Sequence, residues 1–153
     1  MERITFAAGC FWGVEDKFKN QAGVTGTASG YMGGEKVDPT YKEVCTGSTG
    51  HAEVVQVDFD PTKIGLEDLL AMFWSMHDPT TLNRQGPDVG TQYRSAIFCE
   101  NDEQLQFVQN SKNQQQSTLD QPIVTEVELV KPFYKAEEYH QCYLEKNGLG
   151  SCH

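Results

Sequence analysis

The order in which strand-like and helix-like segments succeed one another constrains this chain more than any other feature. Apolar runs or alternations at residues 4–8, 24–31, 52–59, 93–99 and 123–129 read as strands, and helical periodicity at 11–20, 66–77, 102–116 and 137–146 reads as helices. The order is therefore β-α-β-β-α-β-α-β-α. Strands spaced this closely do not suit a purely parallel doubly wound sheet. The pattern predicts the α+β class, as a two-layer mixed α/β sandwich with a ferredoxin-like split β-α-β core and a long coiled C-terminal tail.

The punctuation agrees with these bounds. Gly23 follows the first helix at a C-terminal capping position, Asp78-Pro79 stops the second, and Asn101-Asp102-Glu103 opens the third as an N-cap with first-turn acids. Two polar, glycine-bearing stretches, 33–50 and 80–92, read as long loops, and loops of that length are usually functional or mobile. No repeat and no Pro/Gly-rich linker divides the hydrophobic blocks, so residues 1–153 are expected to form one domain.

Charge and hydropathy narrow the function classes. With 12 Lys and Arg against 22 Asp and Glu, the net charge of −10 disfavours nucleic acid or an anionic membrane as partner. No window approaches about 18 consecutive apolar residues, and the N-terminus lacks a signal-peptide layout, so a cytoplasmic monomer is the default expectation. Five cysteines at wide spacing, Cys10, Cys45, Cys99, Cys142 and Cys152, suit reduced or redox-active thiols better than a disulfide framework. Cys142, Cys152, His140 and His153 crowd the C-terminus without a C-x-x-C pair, and no metal site is expected. Cys99, in an apolar strand, reads as inert core.

The run Gly9-Cys10-Phe11-Trp12-Gly13 places a cysteine at a strand-to-helix turn. N–H groups and the dipole at a helix N-terminus favour the nucleophilic thiolate, and Phe11 and Trp12 offer an apolar wall beside it. The plainer alternative makes Cys10 a small buried residue and both aromatics core. Glu53 shares strand parity with Val55, Val57 and Phe59, which puts a carboxyl on an apolar face where burial favours the protonated, proton-donating form. Its plainer role is to accept from a neighbouring backbone N–H or to pair with Arg94. Tyr41 and Tyr93 border the two loops, as proton donors or as core residues satisfied by backbone. Asp88 reads as a turn residue, His51 as a strand-start or supporting hydrogen-bonding residue, and His77 as a helix-terminal histidine.

Several segments together resemble the type A peptide methionine sulfoxide reductases: Gly9-Cys10-Phe11-Trp12-Gly13, Gly50-His51-Ala52-Glu53-Val54, His77-Asp78-Pro79-Thr80, the run from Gln85 to Ser95, and Glu137-Glu138-Tyr139-His140-Gln141. The resemblance implies an oxidoreductase that returns the S epimer of methionine sulfoxide, protein-bound or free, to methionine. It implies Cys10 as nucleophile, Glu53 as acid, Tyr41 and Tyr93 as further donors, Phe11 and Trp12 as the pocket for the S-methyl group, and Asp88 near the site. The resulting sulfenic acid is then expected to condense with a second thiol. Cys152 resembles the resolving position, with Cys45 and Cys142 as competitors. Thioredoxin is the implied external reductant, with no bound cofactor. A binding module in which the thiol is incidental and a cysteine acyl transferase are the rival classes, the latter lacking an identifiable histidine base.

Overall fold

The computed structural model describes residues 2–143. In chain order its elements are β1 (Glu2–Ala8), α1 (Phe11–Lys19), β2 (Val24–Met32), α2 (Tyr41–Cys45), β3 (Ala52–Phe59), α3 (Leu66–Met76), β4 (Arg84–Gln85), β5 (Asp88–Val89), β6 (Ser95–Cys99), α4 (Asp102–Gln116), β7 (Glu126–Leu129) and β8 (Tyr134–Lys135), with 3-10 turns at Thr91–Tyr93 and Glu138–His140. Six strands form one sheet in the order β7-β6-β1-β3-β2-β8. Among the described residues, only the β6–β7 pair is parallel.

Two split β-α-β units interlock at its centre. β1-α1-β2 leaves a gap that β3 fills, and β3-α3-β6 leaves one that β1 fills. This is the ferredoxin-like core expected above. Period-2 alternation sends Ile4, Phe6, Ala8, Val55, Val57, Phe59, Ile97 and Cys99 to one face, where they pack against Phe11, Val14 and Phe18 of α1 and Leu69, Leu70 and Phe73 of α3. Phe6 lies between both helices, its ring centroid 4.7 Å from Phe18 and 5.2 Å from Phe73. Burying one such side chain contributes about 2–3 kcal/mol relative to leaving it exposed. The opposite face, with Ala7, Met32, Ala52, Val54, Ala96 and Phe98, is covered by Val130 and Phe133 as the chain runs from β7 at one edge to β8 at the other.

The structure departs from the sequence expectations in several places, the added edge strand β8 among them. The stretch 33–50 is not all loop, because Thr40 and Glu43 form a reciprocal capping box that starts α2. The stretch 80–92 holds the β4–β5 hairpin and a 3-10 turn, so the strand begins at Ser95 and not at residue 93. The strand expected over 123–129 is confined to Glu126–Leu129, since Val124 N–H bonds the Pro79 carbonyl instead of a sheet neighbour. The helix expected from residue 137 is interrupted at its start: Glu138–His140 form a 3-10 turn, and Cys142 takes φ +51 with its N–H captured by Glu15 Oε1 at 2.7 Å, before Tyr143 is again helical. Residues 144–146, and the tail expected after them, lie outside the described residues. Among those described, no helix is long and apolar enough to cross a membrane, and no three His, Cys, Asp or Glu side chains are placed to hold a metal ion.

Candidate active site

The strand-to-helix turn after β1 depends on Gly9, which takes φ +96, a left-handed conformation that side chains with a Cβ rarely adopt. Cys10 follows as the N-cap residue of α1 and is half-buried. Glu53 accepts the first N–H of this helix, with Phe11 N to Glu53 Oε1 at 3.2 Å. The carboxyl group therefore sits at the same helix terminus as the thiol, and the residue is only 1% exposed. Arg94 pairs with Glu126, to which its Nε donates at 3.1 Å. Strand register explains the convergence. The pairing of Phe6 with Val55 runs toward Ala8 and Glu53, while on the other flank Tyr31 of β2 lies opposite Glu53.

An aromatic cluster closes one side. Phe11 is fully buried, and Tyr41 stacks near both Phe11 and Trp12, at centroid distances of 6.1 and 6.3 Å. Tyr143 lies parallel on Trp12 at 3.9 Å. Trp12 Nε1–H donates to His140 Nδ1 at 2.9 Å, which fixes the histidine tautomer with its proton on Nε2. Burial, only partly opposed by the Glu137 charge, lowers the proton affinity of His140 and keeps it neutral, as this acceptor role requires.

Hydroxyls close the other side. Burial first, then the charge of Glu53, pushes the Tyr41 phenol above its ordinary range. The same two causes raise Tyr93, with Cys45, Asp88 and Cys10 adding to the effect. Both tyrosines are therefore hydrogen-bond donors throughout the physiological range. Cys45 lies within hydrogen-bond reach of Tyr41, and burial, joined by the Glu53 and Glu137 charges, raises its thiol against that hydrogen bond. Gln92 Nε2 donates to the Cys45 carbonyl at 3.4 Å and so ties the two long connections together. Cys99 is buried core with its thiol pushed up to about 12, chiefly by desolvation.

Supporting residues hold these parts in register. His51 accepts the Gly34 N–H at Nδ1, 3.0 Å away, and its Nε2 pairs with the Lys36 carbonyl at 2.7 Å. Gly34 has no alternative there, since a Cβ would run into the Thr49 carbonyl and the His51 amide. Glu137 accepts the Tyr31 hydroxyl at 3.0 Å and the Tyr41 N–H at 3.1 Å. Glu15, buried on α1, accepts from Ser29 and Thr27 hydroxyls at 2.8 and 2.9 Å and from Cys142 N–H.

Of the residues singled out from sequence, Cys10, Phe11, Trp12, Glu53, Tyr41 and Tyr93 converge at the start of α1, and Asp88 lies near enough for its charge to act on Tyr93. Cys142 packs against Glu15. Cys152 falls outside the described residues. Sequence reasoning assigned no role to Tyr31, Glu137, His140 or Tyr143. Tyr31 was accessible from strand parity; Glu137 and His140 stand in a quoted segment, but the helical spacing expected there does not mark them as site residues.

A family model described as peptide methionine sulfoxide reductase matches residues 2–153. The peptide methionine sulfoxide reductase MsrA of Methanothermobacter thermautotrophicus is 57% identical over 154 residues, covering 99% of this chain and 91% of the relative. Mxr1 from Saccharomyces cerevisiae, solved in reduced form, is similar at a TM-score of 0.92 and 43% identity, over 97% of this chain and 87% of that one. A structure of Mxr1 in complex with Trx2 is similar at 0.67 and 29% identity, over 93% and 84%.

Proposed function

Because the chain belongs to the peptide methionine sulfoxide reductase family, in its type A branch, we propose that residues 1–153 act as one unit that reduces the S epimer of methionine sulfoxide to methionine. Protein-bound and free sulfoxide are both substrates, and thioredoxin is the external reductant, a reading supported by the Mxr1 complex with Trx2. No bound cofactor takes part.

One observation carries the mechanism: the Glu53 carboxyl sits on the first N–H after Cys10, so an acid and a nucleophile share one helix N-terminus. The helix dipole favours the Cys10 thiolate, while near-complete burial favours the neutral acid at Glu53. The substrate's S-methyl group lies against Phe11 and Trp12, with its oxygen toward Glu53, Tyr41 and Tyr93. Sulfoxide oxygen leaves sulfur poorly until protonated, and its charge grows as sulfur is attacked, so donors fixed in advance lower the barrier. Cys10 attacks the sulfur and Glu53 supplies the proton. The net change moves one oxygen from the substrate to Cys10: thiol and sulfoxide become sulfenic acid and thioether, with the methionine sulfur reduced by two electrons.

The Cys10 sulfenic acid then condenses with the Cys152 thiol, releasing water and leaving a disulfide. The thioredoxin dithiol takes over that disulfide, which restores both thiols. The raised Cys45 thiol argues against Cys45 as the resolving group, because attack requires the thiolate. The engagement of Cys142 with Glu15 argues against Cys142.

The test follows a peptide carrying both sulfoxide epimers. With thioredoxin the S epimer should disappear and the other persist. Without reductant the enzyme should release one equivalent of methionine and lose two thiols, and peptide mapping should find Cys10 joined to Cys152. Sustained turnover by Cys10→Ser would overturn the mechanism, and a Cys10–Cys45 bond would overturn the choice of Cys152.

A further inference from the structure

Glu137 is a carboxylate around the site to which the mechanism gives no task. It leaves the C-terminal segment just before the turn that carries His140, and its two oxygens serve two elements of the site. Oε1 accepts the Tyr31 hydroxyl, from the residue opposite Glu53 in the sheet, and Oε2 accepts the N–H of Tyr41, the first residue of α2.

This arrangement has two consequences. The single hydroxyl proton of Tyr31 goes to Glu137, so Tyr31 does not offer it to the neighbouring Glu53 carboxyl, where it would favour the ionised form. In addition, a fixed negative charge is placed in a low-dielectric cluster that already contains Glu53. Tyr31 and Cys45 both respond to the two carboxylates together.

We propose that Glu137 is a positioning residue for the proton-donating step: it holds the start of α2, diverts the Tyr31 hydroxyl, and sets a negative charge that favours the protonated form of Glu53. The inference rests on the reading of Glu53 as the acid. A like charge nearby disfavours ionisation, so the Glu53 carboxyl keeps its proton to higher pH while Glu137 is ionised.

Glu137 is suited to carry that charge. Burial works against it, but its own N–H, the Tyr41 N–H and the Tyr31 hydroxyl together hold the carboxyl below its ordinary range. Among the described residues, the other titratable groups around the pair are Cys10 at the α1 terminus, Tyr31 on β2, Tyr41 and Cys45 on α2, Asp88 on β5, Tyr93 on the 3-10 turn, and Tyr139 and His140 beside Glu137. Tyr31, Tyr41, Tyr93 and Cys45 are raised, and His140 is lowered. At neutral pH none of those five adds a charge that cancels Glu137.

The test is the pH profile of methionine formation in a single turnover without reductant, for wild type, Glu53→Gln, Glu137→Gln and Tyr31→Phe. The limb that disappears in Glu53→Gln belongs to the acid. In Glu137→Gln that limb should move to lower pH by about half a unit to one unit, the scale of one neighbouring charge removed. Tyr31→Phe keeps the charge and should leave the limb in place or move it upward. The two substitutions therefore separate charge from anchoring: if Glu137 only anchors, both lower the plateau and neither moves the limb. An unmoved limb in Glu137→Gln, with the limb lost in Glu53→Gln, overturns the proposal alone. A limb that persists in Glu53→Gln overturns the assignment of the acid itself.

Discussion

Glu15 offers a stringent test of how the C-terminal segment is held to the catalytic helix. It is 1% exposed and accepts three short hydrogen bonds, from Ser29 Oγ at 2.8 Å, Thr27 Oγ1 at 2.9 Å and Cys142 N at 2.7 Å. Glu15→Ala removes every acceptor at once. The part-buried Cys142 N–H loses its acceptor, and a donor left without one costs about 1–3 kcal/mol. The two hydroxyls recover part of their loss by rotation, so a total of about 3–4 kcal/mol is expected, a large share of the ~5–15 kcal/mol that stabilises a typical domain. With a urea slope of about 2 kcal/mol/M, the unfolding midpoint should fall by about 1.5–2 M. Glu15→Gln retains an oxygen for Cys142 N–H and Ser29 while its amide donates to Thr27, so its midpoint should fall by only about 0.5 M. Equilibrium unfolding followed by tryptophan fluorescence reads both, because Trp12 stacks on Tyr143 at the C-terminal segment and Trp74 packs beside Phe73 in the core. Equal shifts for the two variants, or a shift below about 0.5 M for Glu15→Ala, would refute the account of Glu15 as a saturated acceptor.

Glu53→Gln keeps an acceptor for Phe11 N–H but has no proton to give, so methionine formation in a quenched single turnover should slow by about 10²–10³-fold; a loss under fivefold contradicts acid catalysis. Cys99, buried and pushed up to about 12, should resist iodoacetamide at pH 8 in the native enzyme while Cys10 reacts, and comparable labelling would disprove that contrast. His140 has a folded-state proton affinity below its unfolded value, so its contribution is present above about pH 6.5 and is lost as pH falls through the lowered folded value. Protonating Nδ1 also breaks the Trp12 bond. Trp12 emission and KM should therefore change together in acid, and the change should vanish in His140→Asn.

The parts of the site governed by local period were legible in the sequence. Glu53 could be placed because alternation over eight residues fixes the side of the sheet to which a side chain points, and Cys10 because a strand and a helix meet around it. Helix α2 carried its own signal, the Thr40-x-x-Glu43 capping box, but five residues among glycines show no periodicity to draw attention to it. Glu137 and His140 were not readable as site residues. Their roles arise from partners 96 to 128 positions away in sequence, and no local pattern encodes such contacts. The expected terminal helix is interrupted over 137–142 for the same reason. Helical spacing is a local property, whereas the left-handed turn at Cys142 accompanies a bond to a carboxylate that α1 supplies.

The topology explains why the reactive groups meet at this point and not elsewhere on the sheet. In two interlocked split units, β1 and β3 are antiparallel neighbours at the centre, so the end of β1 lies beside the beginning of β3. The chain leaving β1 must start a helix over the same face that receives the first inward side chain of β3. A residue at the helix N-cap and a residue at the second position of β3 are thereby brought together by connectivity, before any specific contact is considered. β2 and β6 flank this pair, which sets Tyr31 on one side and, just before β6, Tyr93 on the other. Cys10, Tyr31, Glu53 and Tyr93 consequently come from four separate strand ends anchored in one sheet, a preorganisation that a single flexible loop cannot match. The C-terminal segment is the remaining variable. It contributes Glu137 and His140 through side-chain bonds to β2, α2 and α1, so its detachment should weaken substrate positioning while leaving the thiol and its acid in place.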